Sequence, residues 1–312
     1  MMNPELTPFL DRWAAEWAPL ALGAPPSLRR AHFEVVAKKM RLPTPDDVDT
    51  TAEHWIDSPS GPVRVRVFRH ISGGVQPCLV YMHGGAWMQG SPETHWDITA
   101  RIASWNRQTV ISVDYAKSPE HPFPAAFNQV AAVMRWTYAN AAGLGLDPAR
   151  IAIGGDSAGG NLAAAVALEL RGEMPILAQL LIYPPSDFDL TRPSMIENAE
   201  APILQTKGMP VVNAMYCPET RLLTSDPRLA PLVADSHAGL PPTLIALAEY
   251  DPLRDSGLAY AKALQAAGVP VVLDHGTGLI HGYLRAMEYC ADSVAKLRMM
   301  AAWLNDQNAG TA

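Results

Sequence analysis

Short apolar segments that alternate with helical stretches constrain the fold of this 312-residue chain more than any other feature of its sequence. Strands buried on both faces of a parallel sheet are almost wholly apolar. Six segments have this character: residues 78–82, 109–113, 151–153, 180–183, 243–248 and 271–273. Helical stretches lie between and after them: residues 97–105, 125–140, 159–171, 256–267 and 283–305. The alternation predicts an α/β fold, a mostly parallel central sheet flanked by helices, with ligands beyond the carboxyl ends of the strands.

Two regions depart from this alternation. Residues 63–68 alternate apolar and basic side chains, the pattern of a strand with one wet face near a sheet edge. Before them, apolar residues recur at helical spacing over residues 6–20, and a second helix is predicted to begin at Ser27 and to present Leu28 and Val35 on its apolar face.

The motif G-G-D-S-A-G-G follows the predicted strand at 151–153 and precedes an Ala-rich helical run. Within it, Gly155, Ser157 and Gly159 form the pattern G-x-S-x-G. In such a tight strand-to-helix turn the serine is held strained with its hydroxyl exposed, and the flanking positions leave no room for side chains. The motif therefore predicts that Ser157 is a catalytic nucleophile.

A nucleophilic serine needs a histidine base, and the chain has nine histidines. We favour His281, which lies in a G-x-x-H-G-Y turn beyond the last predicted strand and just before the last predicted helix. Gly282 beside it would let the backbone approach the nucleophile. His275, closer to the strand end, is the alternative.

The acid that orients the histidine is expected after the strand at 243–248, in the chain order serine, acid, histidine. Asp251 lies three residues beyond that strand, in a turn stiffened by Pro252. Asp255 is interpreted as a helix N-cap. Asp255 and Asp274 remain alternatives for the orienting acid.

The segment H-G-G-A-W, residues 83–87, follows the strand at 78–82. Backbone amides in a Gly-rich turn can approach the negatively charged oxygen of a tetrahedral intermediate and stabilise it. We expect the amides of Gly85, Ala86 and Ala158 to form this oxyanion hole, with Gly84 as a further candidate. His83 is expected to brace the turn by hydrogen bonding.

Charge and cysteine content limit the partners and the location. The formal net charge of −7 provides no basic field for nucleic acid. Three separated cysteines, without a C-x-x-C pair, argue against a disulfide framework and against a zinc site. No segment reaches the ~20 apolar residues of a membrane span, and charged residues interrupt the N-terminal segment. We expect a cytoplasmic protein with no membrane span, no metal and no cofactor, whose partner is a small-molecule ester; a homodimer is compatible with the sequence.

These motifs together resemble those of the hormone-sensitive lipase family of bacterial esterases, also called family IV. The similarity also includes D-Y-A-K-S-P-E-H-P-F-P at 114–124, D-P-L-R-D from Asp251 and I-H-G-Y from Ile280, and it covers roughly residues 60 to 305. The resemblance implies an α/β-hydrolase fold with a helical cap over a pocket for short or medium acyl chains. The implied division is a cap of N-terminal helices at 1–50, a catalytic domain at 51–189 and 226–312, and an inserted cap segment at 190–225.

One residue departs from the family pattern: Ala86 stands where the family usually has a third glycine. Its amide can still serve an oxyanion hole, but its methyl group would narrow or reshape the acyl pocket. Two alternative functions remain open. Arylformamidases share a similar H-G-G-x-W turn and use the same triad on an amide. A non-catalytic small-molecule receptor is disfavoured because His281 is present, whereas plant gibberellin receptors resemble this fold but lack the catalytic histidine.

Overall fold

A single mixed sheet organises the computed structural model, which describes residues 1–21 and 23–310. The predicted limits of the N-terminal cap and of the catalytic domain include residues 22, 311 and 312, which lie outside the described residues. Within the described ranges the sheet has nine strands: β1 (Val48–Asp49), β2 (Glu53–Ile56), β3 (Val63–His70), β4 (Gln76–Met82), β5 (Thr109–Asp114), β6 (Leu146–Asp156), β7 (Gln179–Ile182), β8 (Thr243–Ala246) and β9 (Val271–Asp274).

The strand order is β1-β3-β5-β4-β6-β7-β8-β9, and β2 also pairs with β3. From β5 to β9 all neighbouring strands are parallel, whereas β1, β2 and β5 run antiparallel to β3. The predicted mostly parallel α/β sheet is therefore confirmed. The alternating segment at 63–68 forms β3, close to the sheet edge as predicted, with its valines buried and Arg64 and Arg66 half-buried.

Helices cover both faces of this sheet. Successive side chains of a strand point to opposite faces, and in β4 Val80 packs into one hydrophobic core while Leu79 and Tyr81 pack into the other. Helices α4, α5 and α8 contribute to the first core, and α1, α3 and α9 to the second. The helices are α1 (Leu6–Trp17), α2 (Pro26–Lys39), α3 (Trp96–Asn106), α4 (Ala125–Ala139), α5 (Ala158–Glu169), α6 (Pro193–Glu197), α7 (Met209–Tyr216), α8 (Arg254–Ala266) and α9 (Ala291–Ala309).

Three predictions about secondary structure were wrong. Strand β9 is not interior but the sheet edge, where the side chain of Val272 is 45 % exposed. The helix predicted at 283–305 is a short 3-10 turn, Tyr283–Ala286, followed by α9. Helix α2 buries Phe33 and Val36, while Leu28 and Val35 are exposed, because the aromatic side chain packs against Trp13 and Trp17 of α1 and so determines which face is buried.

The chain between β7 and β8 leaves the sheet and includes α6 and α7. Asp255 fastens this insertion: its Oδ2 accepts a hydrogen bond of 2.8 Å from the Ser194 amide in the first turn of α6. In return Ser194 Oγ donates to the Pro252 carbonyl at 2.6 Å. The expectation that Asp255 caps its own helix was wrong, since α8 already begins at Arg254.

Candidate active site

Ser157 lies in the turn between β6 and α5, at the carboxyl end of a central strand. Its φ of 55° is in the left-handed region, which costs a non-glycine residue free energy. The turn tolerates no side chain beside it: a Cβ on Gly155 would lie 2.4 Å, and one on Gly159 2.0 Å, from the Met82 carbonyl oxygen. These contacts hold the Ser157 side chain at the surface of the turn, where it stays partly exposed.

The structure brings His281 and Asp251 to this serine. A distance of 2.9 Å separates His281 Nε2 from Ser157 Oγ, and 2.7 Å separates His281 Nδ1 from Asp251 Oδ2. Asp251 is fully buried and its other oxygen, Oδ1, accepts a hydrogen bond of 2.8 Å from the Leu253 amide. A β-bridge between Tyr250 and Ile280 joins the two loops that carry the acid and the histidine.

The alternative residues lie elsewhere or make other contacts. His275 is exposed, and Asp274 Oδ1 pairs with Lys296 Nζ at 2.5 Å. Asp255 binds Ser194 and forms an ion pair with Arg254. The contiguous hydrogen-bonded series is therefore Ser157, His281 and Asp251.

Of the four oxyanion-hole candidates, Gly84 needs correction. Its amide donates to the buried carboxylate of Asp156, with 2.9 Å from Gly84 N to Asp156 Oδ1, so it is not available to a substrate. In the described part of the chain, the amides of Gly85 and Ala86 donate no hydrogen bond to a side chain. They also donate none to a backbone carbonyl among the hydrogen bonds of turns and loops. Ala158 is the first residue of α5, so its amide has no intrahelical acceptor. Gly85, Ala86 and Ala158 remain the candidates.

Ala86 has a φ of 55°, which glycine would adopt with less strain, and it lines the cavity next to Ser157. We therefore expect Ala86→Gly to leave the free energy of unfolding unchanged or to raise it by up to ~1 kcal/mol, because relief of the left-handed strain offsets the entropy that glycine adds to the unfolded chain. Urea titration measures this. Ala302→Gly, in the exposed middle of α9, is the matched control and should lose about 1 kcal/mol. Equal losses at both positions would contradict the strain at Ala86.

Sequence reasoning missed a buried polar network behind the serine. Asp156 Oδ1 accepts hydrogen bonds from the Tyr81 hydroxyl at 2.8 Å and from the Gly84 amide. Arg285 Nη2 donates to His95 Nε2 at 2.6 Å, and this nitrogen lies 3.4 Å from Asp156 Oδ2. Burial opposes ionisation of Asp156, yet the neighbouring His95 and Arg285 and the Tyr81 hydroxyl lower its pKa to about 2. Asp156 thus joins the turn before Ser157 to the H-G-G turn; its place in G-D-S was the only sequence signal.

His83 braces the H-G-G turn, as predicted. Its Nδ1 lies 2.8 Å from the Gly84 carbonyl oxygen, and its ring stacks on Tyr115 with 4.3 Å between ring centroids. The Tyr115 hydroxyl donates to the His83 carbonyl at 2.7 Å. Burial holds the pKa of His83 well below its ordinary value, so the ring is neutral.

Ser157 lines a cavity of about 540 Å³. The cavity lies between the carboxyl ends of the strands and the helices outside the sheet, which are α2 and those of the insertion between β7 and β8. Its wall is mostly apolar and comes from the H-G-G turn, from the insertion between β7 and β8 and from the residue just before α8: Trp87, Met88, Phe188, Leu190, Met195, Leu204, Met209, Val212 and Leu253. One residue of α2, Arg29, also reaches it. Pockets of this size and character bind small organic molecules.

The described residues contain no group of three or more His, Cys, Asp or Glu side chains that could hold a metal ion. None of the helices in the described ranges is long and apolar enough to cross a lipid bilayer.

Known proteins share the fold of this chain and include ester hydrolases. Residues 79–285 match the model of a protein family described by the α/β-hydrolase fold. Esterase LipI of Mycobacterium tuberculosis is 42 % identical over 234 residues, 73 % of each chain. The carboxylic ester hydrolase LipN of the same organism is 39 % identical over 276 residues, which are 85 % of this chain and 72 % of LipN.

A solved structure is similar over nearly the whole length. It is an ester hydrolase from the metagenome of Lake Arreo, in complex with a bipyridine phosphonate derivative, with a TM-score of 0.91 and 34 % identity. The alignment covers 99 % of this chain and 100 % of that chain. The helices outside the sheet are therefore included in the similarity as well as the sheet itself.

Proposed function

The chain belongs to the hormone-sensitive lipase-like (family IV) esterases of the α/β-hydrolase fold and is a carboxylic-ester hydrolase, and we propose that it cleaves short to medium acyl esters with Ser157 as nucleophile. The observation that carries the assignment is the series of two hydrogen bonds, 2.9 Å and 2.7 Å, from Ser157 through His281 to Asp251 at the wall of the cavity. This is the arrangement that activates a serine hydroxyl.

In the proposed reaction, His281 Nε2 accepts the proton of Ser157 Oγ as this oxygen attacks the ester carbonyl carbon. The amides of Gly85, Ala86 and Ala158 stabilise the oxyanion that forms. His281 then gives the proton to the leaving alcohol, and water repeats the cycle on the acyl-enzyme, so that acid and enzyme are released. Asp251 holds Nδ1 protonated and stabilises the imidazolium.

The apolar wall supports binding of the acyl chain, and the volume of about 540 Å³ limits its length. We expect kcat/KM for 4-nitrophenyl esters to rise from acetate to hexanoate, because each buried CH₂ contributes up to ~0.8 kcal/mol, and to fall at least about tenfold by dodecanoate, once the chain exceeds the cavity. Initial rates over this series, below the critical micelle concentration, measure the profile. A profile that keeps rising to palmitate would contradict the proposed range.

We also propose that the helices at 1–50 and the segment at 190–225 form a cap, with the catalytic domain at 51–189 and 226–312. The cavity wall supports this division, because Ser157 and Trp87 come from the sheet side, Arg29 from α2, and Met209 from the insertion. Limited proteolysis with and without a covalent phosphonate tests it, since a cap closed over a ligand should be cleaved more slowly.

The proposed location is the cytoplasm. Cys78, Cys217 and Cys290 are free and buried, and burial raises the pKa of the Cys78 thiol to about 12. Unpaired thiols suit a reducing compartment. Fractionation of the native host, followed by immunoblotting, tests the location.

A further inference from the structure

Arg29 lies on the wall of the active-site cavity and forms no ion pair with a carboxylate in the described ranges. It lies in the first turns of α2, and it lines the same cavity as Ser157. Among the described residues, its Nε is buried and has no hydrogen-bond acceptor, and no carboxylate forms an ion pair with its guanidinium. The contact that remains is with Trp17, whose ring centroid lies 5.3 Å from Arg29 Cζ. A buried donor without an acceptor is unfavourable, so this one indicates an acceptor that a ligand supplies.

The other charged side chains of the cavity already have partners. Asp187 forms an ion pair with Arg192 and accepts a hydrogen bond of 2.8 Å from Ser256 Oγ. Lys207 Nζ lies 3.4 Å from Glu200 Oε2, and both of these side chains are largely exposed to solvent. Burial lowers the pKa of Arg29, but a guanidinium stays protonated in proteins. The unbalanced charge inside the cavity is therefore positive and belongs to Arg29.

We propose that Arg29 is a specificity-determining residue that binds a carboxylate of the substrate, so that this esterase prefers esters carrying a second, free carboxylate to uncharged esters of equal size. This inference rests on the proposed function and names its substrate class. The planar fork of guanidinium donors matches a carboxylate, and the Trp17 ring beneath it holds the fork in place. A cavity of about 540 Å³ is roughly 10 Å across. A substrate that fits it can therefore have several bonds between its scissile carbonyl and its carboxylate.

Two pairs of substrates test the proposal, because the carboxylate could belong to the acid or to the alcohol half. On the acid side, mono-4-nitrophenyl adipate is compared with 4-nitrophenyl hexanoate. On the alcohol side, 4-acetoxybenzoate is compared with its methyl ester. The measured quantity is the ratio of kcat/KM for the anionic ester to kcat/KM for the uncharged ester. For at least one pair, this ratio should be about tenfold or more lower in Arg29→Gln than in the wild-type protein. The change should come mainly from a higher KM for the anionic ester.

Arg29→Lys should keep part of this preference, because it keeps the charge and loses the fork. Arg30→Gln is the matched control on the next residue of α2: Arg30 forms an ion pair with Glu120 and does not line this cavity, so its loss should leave the ratio unchanged. If Arg29→Gln changes the ratio in neither pair, or slows anionic and uncharged esters equally, the inference is overturned. If the wild-type protein fails to hydrolyse even the uncharged esters, the proposed function fails instead, which is a separate result.

Discussion

Ser157→Ala is expected to lower kcat for 4-nitrophenyl butanoate by on the order of a million-fold, the usual cost of losing a serine nucleophile. The variant keeps the amides of Gly85, Ala86 and Ala158, so a residual rate about a thousandfold above that of water would remain. The fold should be retained, because the Ser157 side chain is partly exposed and makes its described hydrogen bond only to His281. Stopped-flow and overnight assays with a spectroscopic check of folding cover this range of rates.

Ser112→Ala is the control for this substitution. The Ser112 hydroxyl is buried in β5 and has no hydrogen-bond partner among residues 1–21 and 23–310, so its removal should leave kcat within about twofold. A fluorophosphonate should add one covalent group to the wild-type and Ser112→Ala proteins, and none to Ser157→Ala. Substantial turnover by Ser157→Ala, or labelling of that variant at another residue, would assign the nucleophile elsewhere.

Asp251→Asn is expected to lower kcat about ten-thousandfold while the fold is preserved. The Leu253 amide donates to Asp251 Oδ1, so the asparagine would place its carbonyl oxygen there and turn its NH₂ group toward His281 Nδ1. That NH₂ group stabilises the tautomer with the proton on Nε2, which cannot accept the proton of Ser157. The loss should appear in kcat more than in KM, because Asp251 is fully buried behind the histidine.

Asp274→Asn is the matched control, since Asp274 was an alternative for the same role and lies at the end of the neighbouring strand β9. Its half-buried carboxylate pairs with Lys296 and not with His281, so its loss should change kcat less than about threefold. If the two asparagine variants show similar losses, the assignment of the orienting acid is wrong.

The features that could be predicted from the sequence depend on short stretches of the chain. Ser157, His281 and Asp251 were predicted to meet, and the structure brings them together, because each follows an apolar strand and parallel strands place the residues after them at one end of the sheet. Gly155 and Gly159 were correctly read as positions without room for side chains, since the steric limit of the turn is local. These inferences need only short-range patterns and the order of the elements.

Other residues could not be assigned without the fold. Gly84 was a reasonable oxyanion donor until Asp156, 72 positions away, was found to accept its hydrogen bond. Asp255 has the position of a helix cap, but its oxygen serves a different helix, 61 positions earlier in the chain. The face of α2 was predicted from its own periodicity, whereas packing against α1 selected Phe33 and exposed Leu28. In each case the hydrogen-bonding or packing partner comes from a distant segment, so it cannot be predicted from the neighbouring residues.

Local sequence was sufficient to predict the alternation of strands and helices, the strained turn at Ser157 and the chain order of serine, acid and histidine, because steric limits and hydrophobic periodicity act over a few residues. The three-dimensional packing was needed to show that the Gly84 amide binds Asp156, that β9 forms the sheet edge, and that Arg29 reaches the cavity with no counter-ion in the described part of the chain. Those properties depend on which groups satisfy one another's hydrogen bonds and charges once distant segments meet, and a buried polar group takes whichever partner the packing brings within reach.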